Sequence, residues 1–370
     1  MERTWRDQDL VYSDDLGRGA PVRPGVSPPL PAVDRHRLHP GLGAKVALEV
    51  VTCAGRDRRR APSWPRLGNA SLRAGATPQP IVSTMDVTHS LTVCYGADAA
   101  TAAKSVAERA DFILVGDAAS SLRALPDRSV QTVVTSPPYW SLRDYSVDGQ
   151  IGVAEPLPVF IKSLVSIFDE VWRALADDGT VWVNIGDSYT SGNRGWRAPD
   201  KKNPARAMGT RPPNPEGTKD KELIGVPWRF ALAMQEAGWW ARSDVIWYKP
   251  NCQPESVRDR PTRSYEHLFL FTKSERYKYN LSAVEGPNGR RLRDVWDINT
   301  TGFPGAHFAT FPPELVRRCI LIGSDADDYV LDPFLGSGTA GAVARATGRP
   351  FVGCELNPDY LGLVHERLRA

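Results

Sequence analysis

Cysteine is scarce. The five in 370 residues (Cys53, Cys94, Cys252, Cys319 and Cys354) are scattered, with no C-x-x-C spacing. That scatter argues against a disulfide framework or a zinc cluster and fits a reducing compartment. No His, Asp or Glu cluster has metal-ligand spacing either, so no metal is expected. No uncharged apolar stretch approaches the ~20 residues that a membrane-spanning helix needs. The first residues, MERTWRDQDL, lack the apolar centre of a secretion signal. An excess of charge is missing too: 46 Lys and Arg face 43 Asp and Glu, so net charge singles out no partner. There is no internal repeat. These absences lead us to expect a soluble, cytoplasmic protein with room for one large domain or two ordinary ones.

What is present divides the chain in two. Up to about residue 105 it is rich in Arg, Pro, Gly and Ala and keeps neither a helical nor an alternating period. This predicts a largely disordered arm over 1–105. Its basic run GRDRRRAPSWPR reads as a solvated tail in preference to a nucleic-acid-binding arm, and a chain begun at Met85 is expected to keep the patterned sequence whole. From Asp111 onward, short apolar runs such as FILV and VQTVV alternate with helical stripes. In LPVFIKSLVSIFDEVWRAL, residues Phe160, Leu164, Ile167, Phe168, Val171 and Leu175 recur on one helical face. Strands alternating with helices predict a doubly wound α/β sheet. Two segments, 188–223 and 276–307, are rich in Lys, Arg, Gly, Pro and Asn and carry no clear pattern. Insertions this long in a compact domain are functional or disordered.

The chemistry-bearing stretches lie at strand ends. TSPPYW, residues 135–140, follows VQTVV directly. Two consecutive prolines donate no N–H and hold the backbone extended, so they make a stiff corner between the Ser136 hydroxyl and the Tyr139 and Trp140 rings. Near the C-terminus, VLDPFLGSGTAGAVA (330–344) reads as a strand, a glycine-rich turn and a helix start. Gly336 and Gly338 allow a sharp turn and close approach of a ligand. The turn lacks the last glycine of G-x-G-x-x-G, and no G-K-[ST] follows it, which excludes a phosphate-binding Walker loop. FVGCEL then places Glu355 at the end of the next strand, where an acid can accept hydrogen bonds from ribose hydroxyls. Loop and acid together favour a nucleoside-containing cofactor over a plain turn.

TSPPYW, DPFLGSGT and GCELNPDY together resemble the amino-methylating, S-adenosylmethionine-dependent DNA methyltransferases. SPPY precedes FLGSGT by about 195 residues, an order that looks like the β-class arrangement. The resemblance covers about residues 110–370 and takes in WVNIGDSY, IWYKPN, DRPTRSYEHLFLFTKS and HFATFPPELV. It implies an α/β, doubly wound, mostly parallel sheet of the S-adenosylmethionine-dependent methyltransferase type, circularly permuted and with basic insertions. The methyltransferase domain would occupy 106–370: a catalytic half 111–275 with insertion 188–223, a target-recognition candidate 276–307 and a cofactor half 308–370.

The resemblance also implies roles. An exocyclic amine is a poor nucleophile because its lone pair is delocalised into the base. Acceptors around its N–H groups favour a tetrahedral nitrogen, and in the family they correspond to the Ser136 side chain and the Pro137 carbonyl. Pro138 keeps them rigid, and Tyr139 offers a π face to a base taken out of the duplex. Trp140 could stack as well or pack in the core. Asp332, Pro333, Phe334, Gly336, Gly338 and Thr339 resemble the loop that holds the methionine portion of S-adenosylmethionine, and Glu355 resembles the ribose acid. Phe308, Thr310, Phe311 and Pro312 resemble the segment at its amino-acid end. Asp117 resembles an acid near the adenine amine, with a strand-end cap as the competing reading. Asp187 would face the same pocket edge or be purely structural.

The implied partner is double-stranded DNA, alongside a cognate restriction endonuclease, with the protein acting as monomer or homodimer. Arg194, Arg197, Lys201, Lys202, Arg206 and Arg211 suit phosphate contacts, Asn193, Asn203 and Asn214 base edges, and one of Arg290, Arg291 and Arg293 could pair with a guanine. Serine before PPY leans toward cytosine N4, with adenine N6 as the alternative. The intact motifs argue against a non-catalytic DNA-binding remnant. The motif order and the basic insertions argue against RNA or protein glutamine as substrate. Carbon-5 methylation needs a covalent cysteine, usually after a proline, and no cysteine here follows one. His267, within a strand pattern, reads as a packed core histidine.

Overall fold

The structure is a computed structural model that describes residues 91–369, apart from 143, 146, 154, 191–213, 287–288 and 302–310. Most of the expected arm, residues 1–90, lies outside the described residues, as do Asn193, Arg194, Arg197, Lys201, Lys202, Asn203, Arg206, Arg211, Phe308 and Thr310.

The elements run β1 (Leu91–Tyr95), α1 (Ala99–Ala107), β2 (Asp111–Val115), α2 (Ala118–Leu122), β3 (Val130–Thr135), α3 (Leu157–Ala174) and β4 (Leu175–Ile185). They continue with α4 (Val226–Glu236), β5 (Trp240–Tyr248), β6 (Tyr265–Thr272), β7 (Val295–Asp297), α5 (Pro313–Gly323), β8 (Val330–Asp332), α6 (Thr339–Ala346), β9 (Phe351–Glu355) and α7 (Leu361–Arg369). Nine strands form one sheet in the order β1-β2-β9-β8-β3-β4-β6-β5-β7. Among these pairings β6 alone runs against its neighbours, β4 and β5. The last two strands of the chain, β8 and β9, thus sit between β2 and β3, which is the permuted order expected.

Alternation of side chains across the pleat divides the core into two layers. Phe112, Leu114, Val133, Val181, Val183, Phe269 and Phe271 meet α1–α4 on one face. Ile113, Val115, Val134, Trp182, Leu268 and Leu270 meet α5–α7 on the other. With helices on both faces, parallel strands need near-continuous apolar runs, which is why β2 reads FILV after Asp111, itself buried and paired with Arg345. The stripe expected on α3 is buried as a set, except that Leu175 is the first residue of β4.

Two boundaries need correction. Regular structure does not wait for residue 105: β1 pairs with β2 in parallel from Leu91↔Asp111, and α1 follows, capped by Asp98. The stretch 276–307 is not patternless. It contributes β7 beside β5, and its Trp296 is buried 6.0 Å from Trp182, ring centre to ring centre.

Candidate active site

Parallel strands end at one edge of the sheet, and β3 and β8 are neighbours there, paired Thr132↔Val330 and Val133↔Leu331. From β8 the chain passes to β9 on one side; from β3 it passes to β4 on the other. Such a switch point opens a crevice at the carboxyl ends of the strands. A cleft of about 1180 Å³ lies there, lined by Ser136, Pro137, Pro138 and Tyr139 after β3, and by Pro333, Phe334, Gly336 and Thr339 after β8. Asp117 after β2, Asp187 after β4, Glu355 as the last residue of β9, and Phe311 also line it. The two motifs, far apart in sequence, are tied directly: the Thr135 hydroxyl donates to Asp332 Oδ1 at 2.6 Å.

The glycine turn is built for its place. Gly338, the N-cap of α6, has φ +81°, and a Cβ on it would stand 2.9 Å from Val364 Cγ1. Any side chain there meets both backbone strain and α7. The Gly336 N–H donates to Glu355 Oε2 at 2.7 Å, and the Asn357 N–H donates to Oε1 at 2.8 Å. A carboxylate offers about four acceptor positions, so Glu355 keeps capacity for a further donor. Burial pushes its carboxyl up to about 7, against the pull of those backbone N–H groups, and the nearby Asp332 adds to the rise. Asp332 is wholly buried and pushed up to about 7 chiefly by that burial. Its Oδ1 accepts from Thr135 and from the Phe334 N–H, while its buried Oδ2 has no hydrogen-bond partner.

On the other side of the cleft, the Tyr139 hydroxyl donates to Glu266 Oε2 at 2.6 Å. Asn184 Nδ2 donates to the same Oε2 at 2.8 Å and to the Tyr139 oxygen at 2.9 Å. Lys249 pairs with Glu266 Oε1 and lies 4.3 Å from the centre of the Trp247 ring. Burial pushes the Glu266 carboxyl up, but Lys249, Tyr139 and Asn184 outweigh it and hold Glu266 below the usual carboxylate range. Arg260 stands 3.9 Å from the centre of the Tyr189 ring, and Arg263 5.4 Å; both line the cleft.

Other expected residues take structural duties as well. Asp117 caps α2 through Ser120 N–H at 2.9 Å while lining the cleft. Asp187 accepts from the Val226 and Gly225 N–H groups at 2.9 and 3.1 Å and so caps α4. Thr339 accepts from Arg367, which ties α6 to α7. Pro312 is the buried N-cap of α5. Trp140 is buried, its Nε1 donating to the Glu155 carbonyl at 3.0 Å, so it packs and is not a stacking surface. His267 is buried against Trp228, with ring centres 4.8 Å apart, and bonded to Asp244. Arg290, Arg291 and Arg293 are exposed beside β7, and none lines the cleft.

A profile of the N6/N4 DNA methylase family matches residues 130–366. The chain belongs to the N6/N4 DNA methylase family. The Type II methyltransferase M.Cfr9I of Citrobacter freundii is 60% identical over 258 residues, covering 69% of this chain and 86% of that protein. M.SmaI of Serratia marcescens, also a Type II methyltransferase, is 53% identical over 262 residues, covering 69% of this chain and 90% of that protein. Among solved structures, the cytosine-N4-specific PvuII DNA methyltransferase shares the fold at TM-score 0.54 and 22% identity, over 69% of this chain and 85% of that one. A Thermus thermophilus protein described as a DNA modification methylase and solved with S-adenosyl-L-methionine has TM-score 0.50 and 26% identity, over 70% of this chain and 93% of that one.

Membership makes this DNA methylase dependent on S-adenosylmethionine, and its site fits that group. The cofactor is cationic at its sulfonium and amino groups; Glu355 lines the cleft at the end of β9, and Asp332, wholly buried at the end of β8 next to the lining residue Pro333, carries an orphaned oxygen. The sequence reading missed Asn184, Lys249 and Glu266. They stood in WVNIGDSY, IWYKPN and SYEHLFLF, but only the antiparallel pairing of β6 with β4 and β5 brings them together. It also missed Gly186: a Cβ there would fall 2.5 Å from Tyr139 Cε2. Gly186→Ala is therefore expected to displace the Tyr139 ring and lower kcat for methyl transfer by at least about tenfold, with S-adenosylmethionine affinity retained; steady-state kinetics with calorimetry checks both.

Proposed function

We propose that this methyltransferase modifies cytosine at N4 in double-stranded DNA, as the modification partner of a cognate restriction endonuclease. The observation that carries the reading is the juxtaposition of SPPY and DPFLGSGT across β3 and β8, with Thr135 and Asp332 hydrogen-bonded between them. When bound, S-adenosylmethionine supplies an electrophilic sulfonium methyl. Ser136 and the Pro137 carbonyl accept hydrogen bonds from the target amine and localise its lone pair for attack. Pro138 keeps both acceptors fixed, so no reorganisation is needed as charge develops. Tyr139 stacks on the extruded base.

On the cofactor side, Asp332 Oδ2 takes the amino group and Glu355 the ribose hydroxyls, within the turn of Pro333, Phe334, Gly336, Gly338 and Thr339. Asp117 takes the adenine amine, and Phe311 and Pro312 close the amino-acid end, in the reading that also includes Phe308 and Thr310. Arg260 and Arg263, which line the cleft, add phosphate contacts to those read for the basic insertion. Serine before PPY supports cytosine over adenine. Sequencing of DNA methylated by the purified enzyme, with N4-methylcytosine and N6-methyladenine distinguished, tests this; N6-methyladenine at the site would replace the cytosine assignment.

The two acids give this reading a pH signature. Both carboxyls sit at about 7 in the protein, and a cationic ligand favours their charged forms. Cofactor binding is expected to release protons near pH 7 and to tighten as pH rises from about 6 to about 8. Calorimetry in buffers of different ionisation enthalpy measures the release; a flat affinity with no proton release would count against Asp332 and Glu355 as cofactor ligands.

A further inference from the structure

We propose that Glu266 is a positioning residue for methyl transfer, holding the Tyr139 ring at the angle that receives the target base. The inference rests on the reading of Tyr139 as the stacking face and adds the device that sets that face. A tyrosine ring at the end of a loop would turn about its side-chain bonds and sweep the cleft. Here it is restrained at both ends. Its backbone follows two prolines at the end of β3, and its hydroxyl is 2.6 Å from a Glu266 carboxylate oxygen. Gly186 leaves the room into which one ring edge settles.

The tether is itself anchored. Glu266 is on β6, where its register neighbours, Ile185↔His267 and Trp247↔Glu266, place it between the ends of β4 and β5. From β4, Asn184 bonds both the carboxylate and the tyrosine oxygen. From the end of β5, Lys249 pairs with the other carboxylate oxygen and is steadied over Trp247. The Lys249 and Glu266 side chains are only 16% and 17% exposed, so water competes little for either partner. A hydrogen bond to a charged acceptor in such a setting is stronger than one between neutral groups. A buried ion pair is a poor source of stability, because desolvation cancels most of its attraction. Its placement against the ring that meets the base accounts for it better.

The test uses the full chain with substrate DNA, and reads kcat, KM and the fluorescence of 2-aminopurine at the target position. Tyr139→Phe removes the tether and keeps the ring and the charge balance. It is expected to lower kcat by roughly ten- to hundredfold, the scale of a small misplacement of reacting groups, to weaken the fluorescence change, and to leave KM for S-adenosylmethionine unchanged. Glu266→Met combined with Lys249→Met removes the acceptor of the tyrosine hydroxyl and the ion pair without leaving a lone buried charge, and is expected to give the same loss. Adding Tyr139→Phe to that pair should then cost nothing more, since both act through one hydroxyl. Tyr139→Phe at wild-type kcat, or losses that multiply when combined, would overturn the proposal. Tyr139→Ala separates it from the reading beneath it: full activity there overturns the stacking role itself. An inactive Tyr139→Ala beside a fully active Tyr139→Phe overturns only the tether.

Discussion

Ser136→Ala is expected to slow methyl transfer by roughly 10²–10³-fold, the scale for removal of one preorganised partner at a reacting centre, with S-adenosylmethionine affinity unchanged. Thr135, the last residue of β3, is buried and committed to Asp332. Ser136 is the first residue beyond it and lines the cleft, with two prolines behind it that hold its backbone extended. Losing its hydroxyl removes one acceptor from the amine but alters no apolar packing of the core and no contact of the glycine turn. Single-turnover transfer of labelled methyl to DNA, with calorimetry for the cofactor, separates the two effects. Full activity in Ser136→Ala would remove the serine from the chemistry.

Asp332→Asn is expected to move affinity and stability in opposite directions. The Asn Oδ1 can keep the hydrogen bonds from Thr135 and the Phe334 N–H, so the turn should stand. What is lost is the negative charge at the orphaned Oδ2, and a hydrogen bond to a charged group contributes about 1.5–3 kcal/mol. Cofactor affinity should therefore fall by roughly ten- to a hundredfold. Stability follows from the raised pKa. An unfolded Asp titrates near ~4, whereas Asp332 titrates at about 7 when folded. Between those values the folded state keeps a proton that the unfolded chain has lost. The stability this gives is complete below ~4 and is lost as pH rises through about 7, at about 1.4 kcal/mol for each unit of separation. Asparagine has no proton to lose. The ligand-free variant should thus match the parent below pH 4 and exceed it in Tm at pH 8. A variant no more stable at pH 8, or one with undiminished cofactor affinity, would contradict the account.

Much of the site was legible because its constraints are local. Proline pairs, glycine turns and an acid at a strand end show in a few consecutive residues, and Ser136, Tyr139, Gly336 and Glu355 all reach the cleft, with Gly338 shaping the turn behind Gly336. His267 was legible for the same reason: a histidine inside an apolar strand run belongs to the core. β1 was not, because LTVCY is a short, half-buried edge strand and the helix after it is mostly alanine, so neither carries a strong period. Trp296 was hidden within a charged, glycine-containing stretch whose composition outweighed one aromatic core residue. Trp140 was left undecided because a ring beside a proline corner can face either the cleft or the core. Only the Glu155 carbonyl, met across the turn, settles which.

The sequence by itself determined the layered α/β architecture and the two strand-end motifs, because each follows from residue period and backbone chemistry over a few neighbours; the permuted order of the motifs was implied by the family resemblance. Tertiary structure alone decided which strands lie side by side. That brought Thr135 to Asp332 across β3 and β8, joined Lys249 and Asn184 to Glu266 behind Tyr139, and made Asp187 a helix cap. Pairings of this kind depend on register between segments far apart in the chain. A one-residue slip would send every side chain to the opposite face of the sheet, and what holds the register is the packing of the whole core.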